Sequence, residues 1–356
     1  MDPHTSVARS PFSSVVQRRR SKSHRQSYRS NVGTMSHLGY TPGFTKRRLT
    51  TCRLAPKRCS TAEINPEQRA LLVREWQLSY VTPLYRFQHG HLKTYSRQLA
   101  AFLVSERQQG VAAEVGLGST LKVTFTLVAG MAQTEEEADT VFIKILSKTP
   151  MAAPDDPQKV LWSGWLTCVG GNPDYLRTLP EDFVCLPLFC SGGTEGLTAL
   201  VKAWFQRTFD CCFGRLEINS VNLQWLAALW TDCHARTSIK QLKLVWSLPA
   251  EPPMEVIYAM HAQDASELWR SVRQPGLREE EDDGSVGLAE VACFFKGLKS
   301  HFYRHFRVEL SAGRLTQVST ALGSAKHGGR IKISNSSYMI TTLTLLTECA
   351  LLKMPI

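Results

Sequence analysis

The sequence predicts an α+β protein, a mostly antiparallel sheet with flanking helices, behind a basic tail. Three observations carry this. Apolar residues recur at helical spacing in some segments and alternate in others. Three strand-like segments follow one another through short links, which suits a meander. The positive charge is confined to the start of the chain: residues 1–62 hold thirteen Lys/Arg against the one acid Asp2, while the rest carries 29 bases and 30 acids. The net charge of +11 and the pI near 9.2 therefore describe the tail, and the body is close to neutral.

Taken in order, the tail "QRRRSKSHRQSYRS" (17–30) is Ser/Arg-rich with few large apolar residues, so the expectation for 1–62 is disorder. Arg18, Arg19, Arg20 and Lys22, with Lys46, Arg47 and Arg48, suit nuclear import or loose polyanion contact. Ser10-Pro11, Thr41-Pro42 and the basic site ending at Thr50 match short phosphorylation patterns, and a phosphate there would offset the local charge. Order is expected from Asn65-Pro66, a cap followed by a proline suited to the first helical turn, with "EQRALLVREWQLSYV" continuing at helical spacing. Leu92, Tyr95, Leu99, Phe102 and Leu103 mark a second helix over 91–109.

Strands follow. "TLKVTFTLV" alternates strictly, and "TVFIKILSK" and "KVLWSGWLTCV" succeed it, the last placing Trp162 and Trp165 on opposite faces. Helical spacing returns in "LTALVKAWFQRTFDCCF" (197–213) and "NLQWLAALWTDC", whose tryptophans are core candidates. Strands "KQLKLVWSL" and "MEVIYAM" precede a helix opened by Asp264 and Glu267, a capping-box pattern. The acidic stretch 276–287 reads as a linker between a body over 63–275 and a C-terminal unit over 288–356. That unit contains a helix at 287–305, two or three strands between Arg307 and Ser334, and a terminal segment at 337–352 whose length favours helix.

The chemistry is sparse. His301 and His305 in "SHFYRHF" stand four apart on one helix, but Phe302 occupies the position where a zinc protease carries its glutamate, and no Cys-x-x-Cys pair exists to complete a site. The reading is a pair of boundary histidines, with no metal and no cofactor. "GLGSTL" lacks the third glycine of a dinucleotide loop, and no phosphate-binding loop or nucleophile elbow is present. Nothing argues for an enzyme. The ten cysteines are scattered through apolar runs rather than set in a framework, no apolar run nears the ~20 residues of a membrane helix, and no secretory signal opens the chain. A soluble protein of a reducing compartment is expected.

For nucleic acid, "GGRIKIS" alternates Arg330 and Lys332 with Ile331 and Ile333, so a strand there presents both cations on one face; Lys159 heads another strand, and Arg304, Arg307 and Arg314 lie nearby in sequence. Such positions suit phosphate contacts that do not read bases. Ordinary solubilising residues on an outer face are the competing reading.

Longer strings add a resemblance. "EWQLSYVTPLYRF" (75–87), "LKTYSRQLAAFLVSERQQGVAAEVG" (92–116), "KVLWSGWL" (159–166), "EDFVCLPLF" (181–189), "WFQRTFDC" (204–211) and "SHFYRHFRVELSAGRL" (300–315) together resemble the vertebrate centromere protein L family over roughly residues 63–353. The tail and residues 275–287 stand outside it. The resemblance implies a curved, largely antiparallel sheet and a non-catalytic inner-kinetochore subunit of the nucleus. It further implies pairing with centromere protein N, and links to centromere protein C, other subunits of the centromere-associated network, centromeric nucleosomes and DNA. It places heterodimerisation in the C-terminal unit, where an exposed edge strand within 307–352 would extend the sheet into the partner. Lys159, Arg330 and Lys332 then become DNA-contact candidates. The rivals are a nuclear scaffold without DNA contact and an unrecognised nucleic-acid enzyme.

Overall fold

The computed structural model describes residues 66–72, 74–108, 120–148, 159–231, 241–273 and 286–354. The basic tail positions, including Arg18, Arg19, Arg20, Lys22, Lys46, Arg47 and Arg48, lie outside them, as does nearly all of the acidic stretch 276–287. Helix α1 (Pro66–Leu72) is followed by strands β1 (Trp76–Val81) and β2 (Leu84–Tyr85). The expected long helix through "REWQLSYV" is thus corrected: it stops at Leu72, and the apolar run after it is a strand. Trp76, Leu78, Ser79 and Val81 are all buried, so β1 is covered on both faces and loses the alternation that announces a strand.

Helix α2 (Leu92–Gln108) and the meander β3 (Thr120–Val128), β4 (Thr140–Lys148), β5 (Lys159–Thr167) form as their periods predict. After the short α3 (Pro173–Arg177) come β6 (Phe183–Val184), β7 (Leu188–Gly193) and α4 (Glu195–Phe209). The helix expected to run to 213 ends at Phe209, because Asp210 turns left-handed with φ 46°. Phe213–Arg215 is strand β8 instead.

Helix α5 (Ser220–Thr231), strands β9 (Gln241–Leu248) and β10 (Met254–His261), and helix α6 (Ala262–Val272) follow. Helix α6 starts before the expected capping box: His261 is its cap, accepting from the Gln263 amide, and Asp264 falls in the first turn. Helix α7 (Leu288–Phe306), strands β11 (Arg314–Ser319), β12 (Gly323–Lys326) and β13 (Arg330–Ile333), and helix α8 (Met339–Lys353) complete the chain.

Eleven strands join in one sheet, ordered β10-β9-β11-β12-β13-β1-β7-β5-β4-β3 with β8 beside β1, every pairing antiparallel; β2 and β6 form a small separate pair. The C-terminal strands therefore fill the middle. Strands β11, β12 and β13 are each paired on both sides, so the edge strand expected within 307–352 is not there; among the described residues the sheet ends at β10 and β3, and the short β8 pairs only with β1. The join between β13 and β1 is narrow, Trp76 opposite Ile331 and Gln77 opposite Arg330. It is reinforced by the β12–β13 turn, where the Leu78 amide donates to Gly329 O at 2.7 Å and Gln77 Nε2 donates to Gly328 O at 3.0 Å.

Two cores lie on opposite faces. The first buries Trp76, Trp165, Trp246, Trp269 and Phe294 beneath α1, α5, α6, α7 and α8 along the sheet. The second packs α2 and α4 onto β3, β4, β5 and β7, gathering Tyr95, Phe125, Trp162, Trp204 and Phe205. Trp162 and Trp165 do divide between the faces, and Trp204, Trp225 and Trp230 are all buried. Buried Glu137 ties two loops of this half together, accepting from the Gln133 amide at 2.9 Å and the Gly170 amide at 3.0 Å.

Candidate nucleic-acid and partner interface

The second core reaches no further along the sheet than Val81 at the end of β1, and this decides where function can sit. From β13 to β10 one sheet face is packed by α5, α6 and α7, whereas no described helix contributes core residues against the other. Alternation assigns Glu255, Ile257 and Ala259 of β10, Lys243 and Ser247 of β9, Arg314 and Ser319 of β11, Ser324 and Lys326 of β12, and Arg330 and Lys332 of β13 to this open face. These strands thus give the face five cations and one carboxylate, Glu255, to which Glu75, just before β1, adds a second through its ion pair with Lys326.

The expected geometry of β13 holds: Arg330 and Lys332 are exposed on one face, Ile331 and Ile333 buried on the other. Lys326 stands opposite Arg330 and makes an ion pair with Glu75 at 3.1 Å. Lys159 is exposed at the first position of β5, opposite Ser147, and is not brought beside the other two. Arg304 and Arg307 end helix α7, which packs on the covered side. Lys243 and Lys326 were missed by sequence reasoning. The signal was present, since "LKL" and "SAK" alternate as "RIK" does, but which face of a strand stays open is not a local property.

Where α4 ceases to cover the second face, a groove of ≈ 860 Å³ opens between α4 and β1, β7, β8 and β13. Arg330 stands at its side with Arg215, and Lys202 of α4 reaches its floor, donating from Nζ to Ser79 Oγ at 2.7 Å. The Lys202 ammonium sits 5.8 Å and 5.7 Å from the rings of Phe189 and Phe213. Its burial lowers its pKa, an effect that Glu195 partly opposes.

The histidine pair lies on the covered side. His301 Nδ1 is 2.7 Å from Tyr258 Oη, and the His301 and His305 rings are 4.5 Å apart. Burial, with the Asp264 charge adding to it, pushes the Tyr258 phenol up to about 12, so it keeps its proton at neutral pH. Among the described residues no group of three His, Cys, Asp or Glu is placed to hold a metal ion. No described helix is long and apolar enough to cross a membrane.

The family model for centromere protein L matches residues 70–351, which takes in every described strand, the last three residues of the first helix and all but the last two of the final one. The chain belongs to the centromere protein L family. Centromere protein L of Danio rerio is 54% identical over 358 residues, covering 100% of this chain and 95% of that protein. The Homo sapiens protein of that name is 41% identical over 309 residues, covering 86% and 88%, and the Gallus gallus one is 40% identical over 301 residues, covering 84% and 85%. Membership makes this a centromere protein, in a family of centromere components rather than of enzymes. In centromere protein L terms, the matched region contains Lys159, Arg330, Lys332 and the whole open face, and leaves out the basic tail.

Proposed function

We propose that the protein is a non-catalytic inner-kinetochore subunit that pairs with centromere protein N and, with it, grips centromeric DNA, linking nucleosomes to centromere protein C and the rest of the centromere-associated network. The open sheet face carries this reading: Lys243, Arg314, Lys326, Arg330 and Lys332 lie on consecutive strands with little opposing acid. Cations on a rigid sheet grip phosphates without reading bases, which suits a protein that holds chromatin by shape and charge.

The partner is assigned to the β10 edge, with residues 307–352 supplying the strands behind it. A strand with one unpaired side is a template for another chain, and β10 exposes Ile257 at 59% and Met254 at 45%. A partner strand added there would continue the open face rather than cover it. Ile257→Lys, a surface change that leaves the core alone, is expected to weaken the complex with centromere protein N about tenfold or more in a titration, with the thermal midpoint of the isolated chain unchanged. An unaltered affinity would remove β10 from the interface.

Tail and body are separated by removing residues 1–62. The heterodimer of residues 63–356 is expected to bind DNA more weakly than the full complex, yet measurably and with a clear salt dependence. Complete loss on removing the tail would instead leave a scaffold whose body never touches DNA.

A further inference from the structure

The groove beside α4 has a chemistry of its own, distinct from the open face it borders. Its floor is built from small groups: Ser79 of β1 and Ser191, Gly192 and Gly193 of β7 line it, which leaves depth. Its acids are largely spent. Glu75 is held by Lys326 at 3.1 Å, and Glu195 lies in the first turn of α4, where the helix dipole favours a carboxylate. The cations are not spent to the same degree. Among the described residues Arg215 reaches a carboxylate only at Glu217, 3.9 Å away, and neither Lys202 nor Arg330 has one within ion-pair distance. Half-buried Lys202 therefore holds a partly desolvated charge, met by one hydroxyl, two aromatic faces and the Glu195 charge beyond ion-pair distance.

We propose that this groove is a slot for an extended acidic peptide segment of a partner protein. Charge complementarity and depth together choose that occupant. A double helix meets cations on a rim or open face, as Arg330 and Lys332 are placed. A cation resting on the floor against Ser79 is reached by a thin anion, an Asp or Glu side chain on an extended chain. Arg330, at the slot's side, is shared by the two surfaces, so binding in the slot and DNA on the open face communicate through one residue.

The test uses the full-length chain and a short photo-reactive peptide of alternating Glu and Ser, with the matching Gln–Ser peptide as control. Crosslinks are mapped by mass spectrometry. The acidic peptide is expected to mark residues 195–215 and the control to leave them unmarked. Lys202→Met and, independently, exposed Ala199→Glu, which sets a like charge at the slot wall without touching the core, are each expected to reduce those crosslinks about tenfold while crosslinks to residues 1–62 persist. Affinity for a short mixed-sequence duplex, measured in parallel, is expected to stay the same in both variants. Crosslinks confined to the tail, or unchanged at 195–215 in both variants, would overturn the proposal. An equal loss of duplex binding would overturn it too, by assigning the slot to DNA. A failure of DNA binding alone in Arg330 or Lys332 variants bears on the open face and leaves the slot standing.

Discussion

Gly329→Ala is expected to destabilise the protein by about 3 kcal/mol, lowering the thermal midpoint by about 5–10 °C. Two costs combine. Gly329 has φ +76°, a left-handed conformation that a Cβ penalises, and a Cβ there would also run into the carbonyl oxygen of Leu216. Neither neighbour can yield cheaply. The Gly329 carbonyl accepts from the Leu78 amide at 2.7 Å, the turn is held to the 216–218 segment by Ile218 N donating to His327 O at 3.1 Å, and His327 Nδ1 lies 2.9 Å from Ile218 O. The substitution thus strikes the narrow join at which β13 meets β1. Gly328→Ala is the control: a Cβ on Gly328 meets only the far end of the Arg215 side chain, at 3.8 Å, so its midpoint is expected to shift far less. Equal midpoints for the two variants in differential scanning calorimetry would show that the join is not under this constraint.

Replacing Lys326, Arg330 and Lys332 together by Ala is expected to weaken DNA binding by the centromere protein N complex about a hundredfold at about 0.15 M salt, and to reduce the salt slope by about three. Each phosphate contact adds about 0.9 to the slope, which is about fivefold in affinity at that salt, and three contacts compound. The loss is expected to be uniform across sequences, because sheet cations that touch phosphates carry no base code. Lys159→Ala, at the start of β5 and apart from the others, is expected to cost no more than one contact, about fivefold. The fold should be little affected, since Arg330 and Lys332 are exposed, Ile331 and Ile333 do the packing, and the partly exposed Lys326–Glu75 pair is worth at most about 1 kcal/mol. Unchanged affinity and slope in the triple variant would remove the open face from the DNA path.

Much of the fold was legible because its signals are local. The strict alternation of Val123 and Phe125 against Thr124 and Thr126 specified β3, and Leu92, Tyr95, Leu99 and Leu103 specified α2. The failures share a cause as well. Strand β1 is covered on both faces, so its apolar residues follow neither period cleanly, and the spacing inherited from α1 carried the helix too far. Helix α4 stops where Asp210 adopts φ 46°, a left-handed end on a non-glycine residue that the preceding apolar spacing does not announce.

The candidate interface divides along the same line. The sequence by itself determined that Arg330 and Lys332 share a strand face, that the positive charge is concentrated in residues 1–62, and, through long ordered strings, the family. Each of these is a property of neighbours along the chain. Only the tertiary structure decided that the C-terminal strands fill the middle of the sheet, that no described helix covers one face from β13 to β10, and that Lys202 of α4 meets the same groove as Arg330. Those outcomes rest on contacts such as Gln77 to Gly328, 251 residues apart. Period and capping act within a few residues, whereas strand order and burial are settled by which distant surfaces exclude water together.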